Sequence, residues 1–156
     1  MYKFGFLIDA VGTSQHSIYL TQQVNALVSQ KPDYAPCLFY RDFDKIVEPP
    51  LFALLNCYET WSFDGIAIAT DIYSANLLLG CPGPKKRFFY VWNMEWAFRP
   101  QNMYADLAKV YLNDKLPLIA RSKYHADILT KIWQPPVAIL EEFNHEQLAS
   151  FIKEQS

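Results

Sequence analysis

The chain has 156 residues, 51% apolar and 16% aromatic, which is enough to bury one substantial core and fits a single domain over residues 1–156. With 14 Lys+Arg against 16 Asp+Glu the formal charge is only −2, which argues against an electrostatically driven nucleic-acid binder and against a disordered polyelectrolyte. No apolar run reaches the roughly 18 residues of a membrane span, and Met1–Gly5 lacks the basic and apolar regions of a signal peptide, so the expected location is cytoplasmic.

Cys37, Cys57 and Cys81 are odd in number and widely spaced, and no C-x-x-C or His-rich tract accompanies them. They predict neither a disulfide framework nor a zinc site, and are expected to be buried small hydrophobes.

Short apolar runs alternate with stretches of helical spacing, the α/β pattern. Lys3–Ala10 reads as a first strand, its Phe4, Phe6, Leu7 and Ile8 forming the near-continuous apolar run of a parallel strand covered on both faces. Leu20, Val24, Leu27 and Val28 place an apolar stripe on a helix over Ser17–Ser29. A strand Cys37–Tyr40, a charged loop Asp42–Pro50 and a helix Leu51–Tyr58 follow. Ile66–Ala69 is the next strand, Ile72–Leu79 a short helix closed by Gly80, and Phe88–Trp92 the strongest β signal of the chain. A helix Asn102–Leu112, a strand Leu118–Ala120, a helix Ser122–Ile132 and a strand Val137–Leu140 lead to a final helix, where Asn144 and Gln147 have capping-box spacing.

Six strands and their helices predict a doubly wound, mostly parallel, Rossmann-like sheet with helices on both faces and strand order 3-2-1-4-5-6. In such sheets ligands sit beyond the strand carboxyl ends, where the winding reverses. For this order the reversal falls between the first and fourth strands, so Asp9–His16 and Asn93–Pro100 are expected to face one crevice.

The first loop presents Gly12, Thr13, Ser14 and His16 ahead of a helix, where free backbone N–H groups can hold a phosphate or sugar hydroxyls. A second reading makes Ser14 or Ser17 a helix cap and His16 a solvated loop residue. Neither G-x-G-x-x-G nor G-x-x-x-x-G-K-[ST] occurs, so no nicotinamide cofactor or phosphate loop is supported and no cofactor is expected. In the second loop, Trp92, Trp96 and Phe98 can stack on a sugar or base, while Asn93, Glu95 and Arg99 fix hydroxyls or phosphates. The alternative is that these rings only plug the edge of the sheet. Glu95 is the candidate general base.

A third corner, Arg121-Ser122-Lys123, joins a natural N-cap to two cations. It reads equally as an anion-friendly helix start or as a cap with solvated flanks. His125 reads as structural. His16, His125 and His145 lie in no nucleophile motif, and Asp9, Asp42, Asp44, Asp64 and Asp71 are scattered, so neither a triad nor a metal site is expected.

Three stretches together resemble the amino-terminal half of a GT-B glycosyltransferase: Asp9–His16, the aromatic strand entering a polar loop at Phe88–Glu95, and Leu116–Leu129 with its strand, Ser122 and helix. The likeness continues through Ile139–Asn144, although the first loop is poorer in glycine than that family's and Glu141-Glu142-Phe143-Asn144 lacks its Pro-Asn-Gly character. The resemblance implies recognition of a sugar, nucleotide sugar or glycosylated acceptor. It also implies that the donor nucleotide is held mainly by a second Rossmann domain, so that a complete site needs a second domain or chain. The competing expectation is a non-catalytic α/β module acting through a homodimer or another protein partner.

Overall fold

The computed structural model describes all residues 1–156. Seven parallel strands form one sheet: β1 (Tyr2–Val11), β2 (Tyr34–Phe43), β3 (Ala53–Asn56), β4 (Ile66–Ala69), β5 (Lys86–Val91), β6 (Leu118–Ala120) and β7 (Ala138–Ile139), in the order β3-β2-β1-β4-β5-β6-β7. Helices α1 (Gln15–Gln30), α2 (Ile72–Gly80), α3 (Tyr104–Tyr111), α4 (Lys123–Ile132) and α5 (His145–Gln155) complete a Rossmann-like α/β domain.

Alternation along the strands divides the interior in two. Phe4, Phe6 and Ile8 of β1 and Leu38 of β2 point into a cluster shared with Leu20, Val24 and Leu27 of α1 and Leu148, Phe151 and Ile152 of α5. Leu7, Cys37, Phe39, Ala67 and Ala69 point the other way, toward Leu78 of α2, Val110 and Tyr111 of α3 and Leu129 of α4. Each fully buried Leu or Phe stabilises the fold by roughly 1.5–3 kcal/mol relative to exposure. All three cysteines are free and buried, as expected, and burial pushes the Cys37 thiol up to about 12.

One element corrects the sequence reading. Leu51–Tyr58 is not a helix: Ala53–Asn56 pairs in parallel with Cys37–Tyr40, and a 3₁₀ helix spans Cys57–Ser62. Leu51, Leu54, Leu55 and Tyr58 have helical spacing, but the free edge of β2 captures the segment, and the Asn56 side chain caps the 3₁₀ turn by accepting the Tyr58 N–H at 3.1 Å.

The extra strand lengthens the predicted winding and moves its reversal. Ile66–Ala69, placed at the sheet edge by the sequence reading, pairs directly with Phe4–Leu7. The switch point therefore lies between β1 and β4, and β4 separates β1 from the aromatic strand β5. Asn144 caps α5 through the Glu146 and Gln147 N–H groups, but the Gln147 amide oxygen takes the Glu141 N–H instead of closing a capping box.

Candidate functional site

The carboxyl ends of β1, β4 and β5 bring three acids to one edge. Asp71, the N-cap of α2, accepts the Ser74 N–H at 2.7 Å through Oδ1 and the Asp9 N–H at 2.8 Å through Oδ2. The Ile72 N–H in the first turn of α2 donates to Glu95 Oε1 at 2.9 Å. Glu95 thus bridges the turn after β5 to the helix after β4.

Glu95 has a side chain only 20% exposed, and Arg99 Nη2 stands 3.9 Å from its Oε2. Burial pushes its carboxyl up to about 7, with the Asp71 and Asp9 charges adding to the rise, while the Ile72 N–H and Arg99 oppose it. Burial also raises Asp71, against its hydrogen bonds to Ser74 and Asp9. Asp9 is balanced by Arg41, whose Nε lies 2.8 Å from Oδ1 and whose guanidinium lies over the Tyr73 ring at 4.2 Å.

An open hollow of about 530 Å³ is lined by Asn93, Glu95, Phe98, Arg99 and Pro100. Arg99 also borders a second hollow of about 500 Å³ between α2 and α3. A further groove of about 550 Å³ runs over β2 and β3 near Lys3, Cys37, Leu55 and Phe63. That groove is slightly larger, but its Cys37 thiol is held protonated and the acid cluster lies elsewhere, so the chemistry favours the carboxyl-end hollow.

Of the remaining predicted residues only Asn93 and Arg99 line this hollow. Gly12 is buried, its N–H donates to Ser17 Oγ at 3.1 Å, and a Cβ there would meet Asp44 Cβ at 3.0 Å; its place is fixed by packing. Ser14 is the α1 N-cap, accepting the Ser17 N–H at 3.1 Å, and Thr13 is exposed beside it. His16 is not a solvated loop residue: its ring is parallel to those of Trp92 and Phe143, at 5.5 and 5.9 Å, and its Nε2 is buried without a partner. Burial, aided by the Arg121 charge, lowers its imidazole to about 4.

Arg121 lies over Trp92 at 3.9 Å, donates to the Trp92 carbonyl at 3.3 Å and pairs with Glu142 at 3.3 Å, while Ser122 caps α4 through the His125 N–H at 3.2 Å. Both residues are therefore engaged within the protein. Trp96 is half-buried and edge-on to Tyr111 and Trp133, at 5.1 and 6.1 Å, so much of its ring serves packing. Asn93 and Arg99 remain exposed on the hollow.

Sequence reasoning missed Asp71 and Phe143. Asp71 carried a usable signal, an Asp three residues before Ser74 at a helix start, but its place beside Asp9 depended on the unrecognised β3. Phe143 follows Glu142 in a turn where both have positive φ, 48° and 61°. The buried Tyr90 hydroxyl clamps that turn, donating to the Leu140 carbonyl at 2.7 Å and accepting the Phe143 N–H at 3.1 Å.

No family model, curated protein or solved structure matches this chain. No helix is long and apolar enough to cross a membrane, and no group of three or more His, Cys, Asp or Glu side chains is placed to hold a metal ion.

Proposed function

We propose that the carboxyl-end crevice binds a sugar, a nucleotide sugar or a glycosylated acceptor, and that the protein is glycosyltransferase-like, with Glu95 as the proton acceptor. The observation that carries this reading is the Glu95 carboxyl: it lines an open hollow, is anchored on the Ile72 N–H, and is poised at about 7, where a general base works best near neutral pH. Asn93 and Arg99 supply hydrogen-bonding groups on the same wall, and Thr13 and Ser14 flank the start of α1.

In this reading the ionised Glu95 removes the proton of an acceptor hydroxyl. The acceptor oxygen bonds to the anomeric carbon of a nucleotide sugar as the nucleoside diphosphate leaves with the electron pair of the broken bond. In the GT-B architecture that the sequence resembles, the donor belongs to a second Rossmann domain, so turnover needs a second domain or chain. Thermal-shift titration with uridine and guanosine diphosphate sugars tests the binding step: a saturable rise in melting temperature is expected, and Glu95→Gln should weaken it.

A second reading, a non-catalytic module acting through self-association or a protein partner, is favoured by one observation. Phe98 is 85% exposed at the rim while neighbouring Trp96 is committed to packing. Light scattering separates the two: a stable dimer dispersed by Phe98→Ala, with no response to any nucleotide sugar, would favour the module.

A further inference from the structure

Two hollows meet at Arg99. It lines the carboxyl-end hollow together with Asn93 and Glu95, and the α2–α3 hollow together with Ile72 and Asn76. The bond of 2.9 Å from the Ile72 N–H to Glu95 Oε1 holds the two walls against each other, because Ile72 lines one hollow and Glu95 the other. At about 530 and 500 Å³, each has the size of a small-molecule site. The α2–α3 hollow has an apolar floor, with Leu107 and Val110 buried and Ile72 and Met103 half-buried.

The four arginines of the chain are not equally engaged. Arg41 Nε stands 2.8 Å from Asp9 Oδ1, Arg87 donates to the Cys81 carbonyl, and Arg121 donates to the Trp92 carbonyl and pairs with Glu142. Arg99 has only the contact of 3.9 Å to Glu95 Oε2, beyond hydrogen-bond reach. Its planar fork of N–H donors therefore stands where the two hollows join without a protein acceptor. The other cation on these walls, Lys109, lies 3.0 Å from Asp106. A single free guanidinium beside a carboxyl suits a monoanion with two coplanar oxygens, which a carboxylate offers to the fork as a bidentate pair. A phosphate dianion would bring a second charge that no other free cation on either wall balances.

We propose that Arg99 is a carboxylate subsite, and that the acceptor taken by this crevice is a uronic-acid glycoside. Its sugar lies in the carboxyl-end hollow, and its apolar aglycone lies over Ile72, Leu107 and Val110 between α2 and α3. With the carboxylate on Arg99, a hydroxyl of the same ring comes within reach of Glu95, whose Oε2 is 3.9 Å from that guanidinium. The inference rests on carbohydrate recognition at the crevice and adds to it the class of acceptor.

The experiment is an amide-resolved NMR titration of the full chain with phenyl glucuronide and phenyl glucoside, which differ only in a carboxylate against a hydroxymethyl group. Wild type should bind the glucuronide about tenfold tighter or more, the worth of a charge-assisted hydrogen-bond pair. Saturable shifts are expected at Asn93 and Arg99 and along residues 72–76. Arg99→Gln should abolish the difference between the two glycosides, and it should keep the fold because Arg99 is exposed. Equal affinity for the two, or a preference that survives Arg99→Gln, overturns the carboxylate subsite and leaves carbohydrate recognition standing. Shifts that leave out residues 72–76 overturn the place given to the aglycone, and tighter binding of glucose 6-phosphate than of glucuronate overturns the choice of a carboxylate. Saturable binding of benzoate at Arg99, with neither glycoside bound, rejects the sugar and leaves the carboxylate subsite.

Discussion

The Ile72 N–H donates to Glu95 Oε1 at 2.9 Å, tying the turn after β5 to the first turn of α2. An acid at the positive end of a helix is stabilised by the free N–H groups there, yet burial outweighs that gain and leaves Glu95 ionising at about 7. The neighbouring Asp71 continues the link to β1, its Oδ2 accepting the Asp9 N–H at 2.8 Å.

A carboxyl that holds its proton more tightly folded than unfolded favours the fold at low pH. Its contribution is complete below about 4.5 and is lost as pH rises to about 7. Each unit of difference is worth about 1.4 kcal/mol, so Glu95→Gln should flatten the decline in urea-unfolding free energy over that window by a few kcal/mol. The raised Asp71 carboxyl contributes a dependence of the same sign.

His16 acts in the opposite sense. Its imidazole stays neutral in the fold down to about 4 but charges near 6.5 when unfolded, so stability is lost as pH falls between those values. His16→Phe keeps a ring beside Trp92 and Phe143 and removes the titration. Relative to wild type, its unfolding free energy should increase from pH 7 to pH 4, as read by denaturant titrations at matched pH.

Tyr90→Phe removes two buried hydrogen bonds with one atom. Left unpaired, the Leu140 carbonyl and the Phe143 N–H each cost about 1–3 kcal/mol, and the positive-φ turn at Glu142 and Phe143 loses its clamp. We expect unfolding to become easier by about 2 kcal/mol or more. Loss of the Trp92 near-ultraviolet dichroism should accompany it if the parallel stack with Phe143 at 5.2 Å loosens.

Trp96 and Phe98 sit two residues apart and should behave differently. Trp96→Ala strips an edge-on contact from Tyr111 and Trp133 and should cost about 2–3 kcal/mol in urea unfolding. Phe98→Ala removes a ring 85% exposed and should leave stability within about 0.5 kcal/mol of wild type.

Much of the scaffold could be read from the chain because its signals are local. The run Phe4–Ile8, the small-residue strand Ile66–Ala69 and the caps Ser122 and Asn144 are fixed by patterning and by side chains within three residues. The strand at Ala53–Asn56 escaped because Leu51, Leu54, Leu55 and Tyr58 mimic a helical stripe, and only the free edge of β2 decides otherwise. That error displaced the switch point by one strand. Glu95, Asn93 and Arg99 were legible as a polar cluster after a buried strand, whereas Asp71 joins them through long-range packing that no local pattern carries.

Amide-resolved NMR titration with uridine and guanosine diphosphate sugars tests carbohydrate recognition at the carboxyl-end crevice most directly. Saturable shifts are expected at residues 93–99 and 12–16 and at Ile72, and they should weaken in Glu95→Gln. Shifts that never saturate, or that gather at Lys3, Cys37 and Phe63 over the outer strands, would contradict it.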